Sequence, residues 1–241
     1  MIKILILLVS LLFIYTGLEA SAMLKYLSIG KKIAEGAVPF QKINPGGYPK
    51  ILFLGDSTAL GIGAEPDKTV AGYFGAHYPK SHIENISKNG WKIKDLLDNF
   101  PSYSHYSFDL AVIEIGANDI LKFTSLTLIE TELKTLLDKT KPIAKNIAIL
   151  HSGNIGAAPF FPKPLGALFT WRTKSVREIY KKIAGEKGAL YVDLFEEREN
   201  DAFLKDKQKY YAPDYLHLTG AGYKVWYEKI QSTLKENNIK F

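Results

Sequence analysis

From Lys50 onward, short apolar runs alternate with stretches whose apolar residues recur every three or four positions. Ile51-Leu52-Phe53-Leu54, stopped by Gly55, carries no polar alternation and fits a strand buried on both faces. A helix is expected over 67–77 (Val70, Tyr73, Phe74), then a strand over His82–Ser87 and a turn at Asn89-Gly90. Trp91, Ile93, Leu96, Leu97 and Phe100 follow at near-helical spacing up to Pro101. Phe108–Ile115 is the clearest third strand, and Leu126, Ile129, Leu133, Leu136 and Leu137 form a helical stripe before Pro142. Asn146–Leu150 predicts a fourth strand and 173–186 a helix closed by Gly188. Ala189–Leu194 predicts a fifth strand, and Thr219 caps a last helix carrying Tyr223, Val225, Trp226 and Ile230.

Five strands alternating with helices imply an α/β fold, a flavodoxin-like three-layer α/β/α sandwich around a five-stranded parallel sheet. Right-handed crossovers give the strand order 2-1-3-4-5. The 241 residues suffice for one such domain, placed at 50–241, and show no repeat or linker. Two segments break the rhythm. Residues 151–172 hold His151, Gly153, Asn154, three prolines and Phe160, Phe161, Phe169 and Trp171; an apolar loop of that length is expected to cover a site. Residues 196–213 are charged and end in Tyr210-Tyr211-Ala212-Pro213.

Ahead of the domain, Lys3 precedes an apolar run, Ile4–Tyr15, broken only by Ser10, and Ala20-Ser21-Ala22 offers a small-residue cleavage site. The run is shorter than the ~20 residues that span a bilayer. Residues 1–22 therefore read as a cleaved signal peptide of an exported protein, periplasmic or secreted, with an uncleaved N-terminal anchor as the alternative. Residues 23–49 form an extension in which Leu24, Leu27 and Ile33 predict a short amphipathic helix packed on the domain, with peripheral membrane contact as the other use of that face.

Composition adds mainly exclusions. The net charge of +6 comes from lysines spread along the chain, with pairs such as Lys31-Lys32 and Lys181-Lys182 but no basic block, so no nucleic-acid partner is expected. Without cysteine there is no disulfide, thiolate metal site or lipid-bearing thiol. His77, His82 and His105 lack metal-ligand spacing, and no metal is expected. Gly61-Ile62-Gly63 lacks the third glycine of a dinucleotide loop, so no cofactor is expected, and Asp193 reads as a structural capping group.

The candidate chemistry lies in four stretches that chain order brings to the carboxyl edge of the sheet. Gly55-Asp56-Ser57 sets a serine between strand and helix start, although Asp-Ser-Thr alone also fits an ordinary N-cap cluster. Asn89-Gly90, Gly116-Ala117-Asn118-Asp119 and Asp214-Tyr215-Leu216-His217 supply the others. Together and in this order they resemble the SGNH/GDSL hydrolase family over residues 50–235, with Gly90 the loosest match. The resemblance implies a serine nucleophile at Ser57, His217 as general base and Asp214 as its partner. It also implies an oxyanion hole from the backbone N–H groups of Ser57 and Gly90 and the amide of Asn118. Ser57 is not in a Gly-x-Ser-x-Gly elbow, which disfavours the ordinary α/β-hydrolase fold. The expected reaction is cleavage of an O-acyl ester through an acyl-serine, on a small-molecule, lysophospholipid, fatty-acyl or acetyl-glycan substrate. His151, Asn154, Phe160 and Phe161 are the candidate substrate-binding residues. Transfer of the acyl group to a sugar hydroxyl, or a non-catalytic binding role on the same scaffold, are the alternatives. Nothing in the sequence assigns an oligomeric state.

Overall fold

A computed structural model describes residues 2–103 and 108–241, with side chains of the first helix described from residue 17 onward. His105 and the side chains of Lys3 and Ile4–Tyr15 lie outside the described residues. The chain opens with one helix, α1 (Ile2–Glu35), which runs unbroken through Ala20-Ser21-Ala22. The expected short helix after residue 22 is thus the C-terminal part of a longer one, and its inward face is shifted by one position. Met23 and Tyr26 pack against the core, whereas Leu24 and Leu27 are 68% and 52% exposed. Among the described residues, no helix is long and apolar enough to cross a membrane.

The domain then runs β1 (Lys50–Gly55), α2 (Ser57–Leu60), α3 (Val70–His77), β2 (His82–Ser87), α4 (Ile93–Asp98) and β3 (Phe108–Glu114). It continues with α5 (Ala117–Leu121), α6 (Leu126–Thr140), β4 (Ala144–Leu150), α7 (Lys163–Lys187) and β5 (Leu190–Tyr191). Two single turns, α8 (Ala202–Lys205) and α9 (Lys207–Tyr210), precede the closing α10 (Gly220–Glu236). All strand pairs are parallel, in the order β2-β1-β3-β4-β5. Ile51–Leu54 and Leu110–Ile113 are fully buried, as strands covered on both faces require. Helices α4, α6 and α7 pack side by side on one face, and α3 packs with α10 on the other.

Connections leave β1 toward one edge of the sheet and β3 toward the other. The crevice between their carboxyl ends is therefore the topological switch point where such sheets receive ligands.

Some bounds differ from expectation. Helix α7 begins ten residues before 173, because Pro162 caps it and Pro164 sits in its first turn, where a missing N–H costs nothing. The irregular segment after β4 is correspondingly shorter. Strand β5 pairs only through Leu190 and Tyr191. Val225 is 39% exposed, while Gly222, Tyr223, Trp226, Ile230 and Leu234 form the buried stripe of α10.

Candidate active site

Register sets the first half of the site. Gly55 lies level with Ser87 on one side and Glu114 on the other, so the turns after β1, β2 and β3 emerge side by side. Asp56 N–H continues the ladder by donating to the Glu114 carbonyl at 3.0 Å. The Asp56 side chain caps α2, accepting from Thr58 N (3.0 Å) and Thr58 Oγ1 (2.9 Å). Ser57 is then the first helical residue, where an N–H has no carbonyl of its own helix to reach. Asn85 of β2 secures the turn by donating from Nδ2 to the Ala59 carbonyl at 2.8 Å.

A hairpin before α10 carries the second half. Tyr211 bridges Leu218, Ala212 N–H donates to the His217 carbonyl (2.8 Å), and Tyr215 turns the chain at φ +56°. Asp214 Oδ1 accepts the N–H groups of Leu216 (3.1 Å) and His217 (3.0 Å), and its Oδ2 lies 2.6 Å from His217 Nδ1. Burial opposes charge on Asp214, but the His217 ring hydrogen bond, the His217 charge and the two backbone donors outweigh it. The carboxyl is held below its usual range. An anionic Asp214 fixes the proton on Nδ1 and leaves Nε2 as the basic nitrogen.

The hairpin packs against the loop after α2 because Gly63 has no side chain. A Cβ there would stand 2.5 Å from the Leu218 carbonyl, and its φ of +97° also favours glycine. Tyr223 of α10 donates to the Ile62 carbonyl (2.9 Å) and ties the same loop down. This is the structural use of Gly61-Ile62-Gly63.

Ser57, Asn89, Asn118 and His217 line one cleft of about 470 Å³. Asn118 is aimed by one Nδ2 proton donated to the Trp91 carbonyl at 3.0 Å, leaving its second proton for a ligand. Gly90 adopts φ +80°, but a Cβ there would meet nothing within 4 Å, so the demand on this residue is conformational and not steric. Asn154 lines the cleft, held by its donation to the Glu196 carbonyl (3.1 Å) and by Thr170 Oγ1 donating to it (2.9 Å).

The other expected substrate contacts lie elsewhere. His151 is 1% exposed and does not line the cleft; its Nδ1 bonds the Ser152 carbonyl and its Nε2 the Tyr191 hydroxyl at 2.9 Å. Burial pushes its pKa down to about 4, so it is a neutral core histidine. Phe160 and Phe161 are also buried, packed edge to face at 4.8 Å with Phe161 against Phe169, and fill the space under the segment after β4. The apolar sequence there makes core and not cleft.

Sequence reasoning passed over several residues. Glu114, at the carboxyl end of β3, is 1% exposed with both oxygens unpartnered, unlike Asp109 of the same strand, which accepts from Lys50 N and Lys145 Nζ. Burial, with the nearby Asp56 charge, pushes the Glu114 pKa up to about 8, and burial likewise pushes Asp56 up to about 6. The charged stretch after β5 brings Glu196, Asn200, Asp201 and Phe203 to the cleft wall beside Asp193. Asp193 is held below its usual range despite burial, because Arg177 forks onto it at 2.9 and 2.5 Å and Phe195 N–H donates to it. His82 pairs with Glu84 (2.8 Å) and His77 with Tyr227 (2.6 Å). Among the described residues no group of three or more His, Asp or Glu could hold a metal ion.

Comparison with known proteins bears on the fold and the family. The fold is shared with a phospholipase A1 from Streptomyces albidoflavus (15% identity, TM-score 0.63, covering 77% of this chain and 99% of that one). It is shared with a lipase/acylhydrolase from Enterococcus faecalis (19%, 0.57, 78% and 96%). It is shared too with Axe2, an acetylxylan esterase from Geobacillus stearothermophilus (23%, 0.55, 80% and 96%). No curated protein sequence matches the chain. The model of the GDSL-like lipase/acylhydrolase family matches residues 53–225, from β1 into α10, and takes in all four stretches at the sheet edge. The chain belongs to that family of carboxylic ester hydrolases.

Proposed function

We propose that the protein cleaves O-acyl esters through an acyl–Ser57 intermediate, with Ser57, His217 and Asp214 as the triad. The observation that carries this reading is the 2.6 Å Asp214–His217 pair opening on the same cleft as Ser57 and Asn118. Ser57 Oγ attacks the ester carbonyl while His217 Nε2 takes its proton. Asp214 stabilises the resulting imidazolium and keeps the ring's other nitrogen protonated. The oxyanion accepts from Ser57 N–H, Gly90 N–H and Asn118 Nδ2. As the tetrahedral species collapses, His217 returns the proton to the leaving alkoxide. Water, deprotonated by His217 in turn, then releases the acid.

The cleft wall bears on the leaving group. Asp193, Glu196 and Asp201 line it together with Asn154 and Asn200, and Lys229 is the only ammonium group among the lining residues. Asp193 is compensated by Arg177, so Glu196 and Asp201 are the carboxylates that disfavour an anionic alcohol, and the Asn200 amide suits a hydroxyl group. The preferred substrate is therefore the ester of a neutral polyol or sugar, ahead of a lysophospholipid with an anionic headgroup. The test compares wild type with Ser57→Ala on p-nitrophenyl esters of two to twelve carbons, on an acetylated neutral oligosaccharide and on lysophosphatidylglycerol. Turnover lost in the variant and highest on the neutral sugar ester supports the reading. Equal activity in both proteins removes Ser57 from the mechanism, and preference for the anionic lipid removes the leaving-group assignment.

Export is proposed on Lys3, the apolar run and Ala20-Ser21-Ala22. Cell fractionation with mass analysis tests it: a chain beginning at Met23 outside the cytoplasm agrees with cleavage, a full-length chain in the membrane fraction agrees with the anchor, and recovery from the cytoplasm alone contradicts export.

A further inference from the structure

The inward face of α1 meets the catalytic hairpin. Met23, Tyr26 and Gly30, spaced three and four apart, share that face. The Tyr26 ring stands edge-on to Tyr215, the residue after Asp214, with centroids 5.0 Å apart. One turn on, α1 passes Asp214 so closely that a Cβ on Gly30 would lie 2.9 Å from Asp214 Oδ2. Oδ2 is the oxygen that His217 Nδ1 bonds, and Asp214 is 1% exposed.

We propose that α1 is the outer wall of the Asp214–His217 pair and that Gly30 is a positioning residue for it. The inference rests on the triad reading above. A glycine in mid-helix costs about 1 kcal/mol of helix propensity against alanine, so the sequence gives up local stability where the helix backbone crosses the carboxylate. The wall keeps water from the second lone-pair region of Oδ2, which strengthens the attraction between carboxylate and imidazolium in the transition state. It also stops the carboxylate from rotating away from the ring. The other ionisable groups close by are Asp56, whose charge interacts with His217, and Tyr223 of α10, which interacts with Asp214. Neither sits on α1. The N-terminal helix is then a working part of the enzyme, and cleavage after Ala22 would leave the wall (Met23–Glu35) on the mature chain.

The experiment uses Gly30→Ala and Gly30→Leu in the full chain, with Gly36→Ala as a control because a Cβ at Gly36 meets nothing within 4 Å. A displacement of the pair near 1 Å is worth up to about 10²-fold in rate. Gly30→Leu is expected to lower kcat by about 10- to 100-fold on a small acetyl ester with KM unchanged, and Gly30→Ala by less. The acid limb of the pH–rate profile should move to lower pH, because a base with a weakened counter-ion is less readily protonated. The thermal midpoint of Gly30→Ala should not fall, and Gly36→Ala should match wild type. Proton NMR supplies a readout without substrate: the low-field His217 Nδ1–H resonance should broaden and exchange faster in Gly30→Leu. The proposal is overturned if Gly30→Leu keeps wild-type kcat and pH profile. It is equally overturned if activity falls only in step with folded fraction while that resonance is unchanged. A wild type inactive on every ester would instead count against the hydrolase reading, and the NMR comparison would still decide the wall.

Discussion

Glu114 gives the fold a pH dependence that one substitution should erase. The residue pairs with Gly55 in the sheet, and its carboxyl feels the Asp56 charge, with no hydrogen-bond partner on either oxygen and a pKa raised from 4.5 to about 8. Below pH 4.5 the group is protonated in both folded and unfolded chains and costs nothing differential. Between 4.5 and about 8 the unfolded chain releases the proton and the folded chain keeps it, so stability falls as pH rises. From pH 5 to pH 7 the loss amounts to about 2–3 kcal/mol at ~1.4 kcal/mol per pH unit. Glu114→Gln removes the ionisation while keeping the shape. Urea unfolding of both proteins at pH 5 and pH 7 gives two stability differences. The variant's stability relative to wild type should be greater at pH 7 than at pH 5 by that amount. Asp56, also raised, is present in both proteins and largely cancels. The same difference at both pH values would refute a neutral Glu114. The point bears on catalysis, because a second anion interacting with Asp56, the residue before the nucleophile, would oppose a developing oxyanion.

Three further outcomes are expected. Asn118→Ala should lower kcat by about 10²–10³ through loss of one oxyanion donor, with fold intact by circular dichroism; unchanged kcat would remove the amide from the oxyanion hole. Asp214→Asn should lower kcat by about 10⁴ because an amide no longer selects the imidazole tautomer, and steady-state kinetics with unchanged KM would show it. Phe161→Ala should cost about 3–5 kcal/mol in chemical denaturation, as for a buried phenylalanine, and leave KM unaltered. A raised KM with little loss of stability would return Phe161 to the substrate site.

The sheet order was legible because Ile51–Leu54, Leu110–Ile113 and Ile147–Leu150 are uninterrupted apolar runs and crossover handedness leaves few arrangements. The four candidate stretches were legible because each directly follows a strand or precedes a helix. Phe160 and Phe161 were misleading, since an apolar loop reads the same whether it lines a cleft or packs beneath one. The early start of α7 was hidden by three prolines, of which Pro164 begins a helix and does not end one. The approach of Gly30 to Asp214 joins positions 184 residues apart, and no local pattern in α1 signals it. Glu114 did carry a signal, a carboxylate closing an otherwise apolar run from Leu110 to Ile113, whose meaning depended on the unpartnered space around it.

Ser57 as the nucleophile is open to covalent trapping. Wild-type protein would be incubated with a fluorophosphonate and the modified residue located by peptide mass spectrometry. One adduct is expected, on Ser57, absent in Ser57→Ala and formed much more slowly in His217→Ala. No adduct, or labelling at another residue that persists in Ser57→Ala, would contradict it.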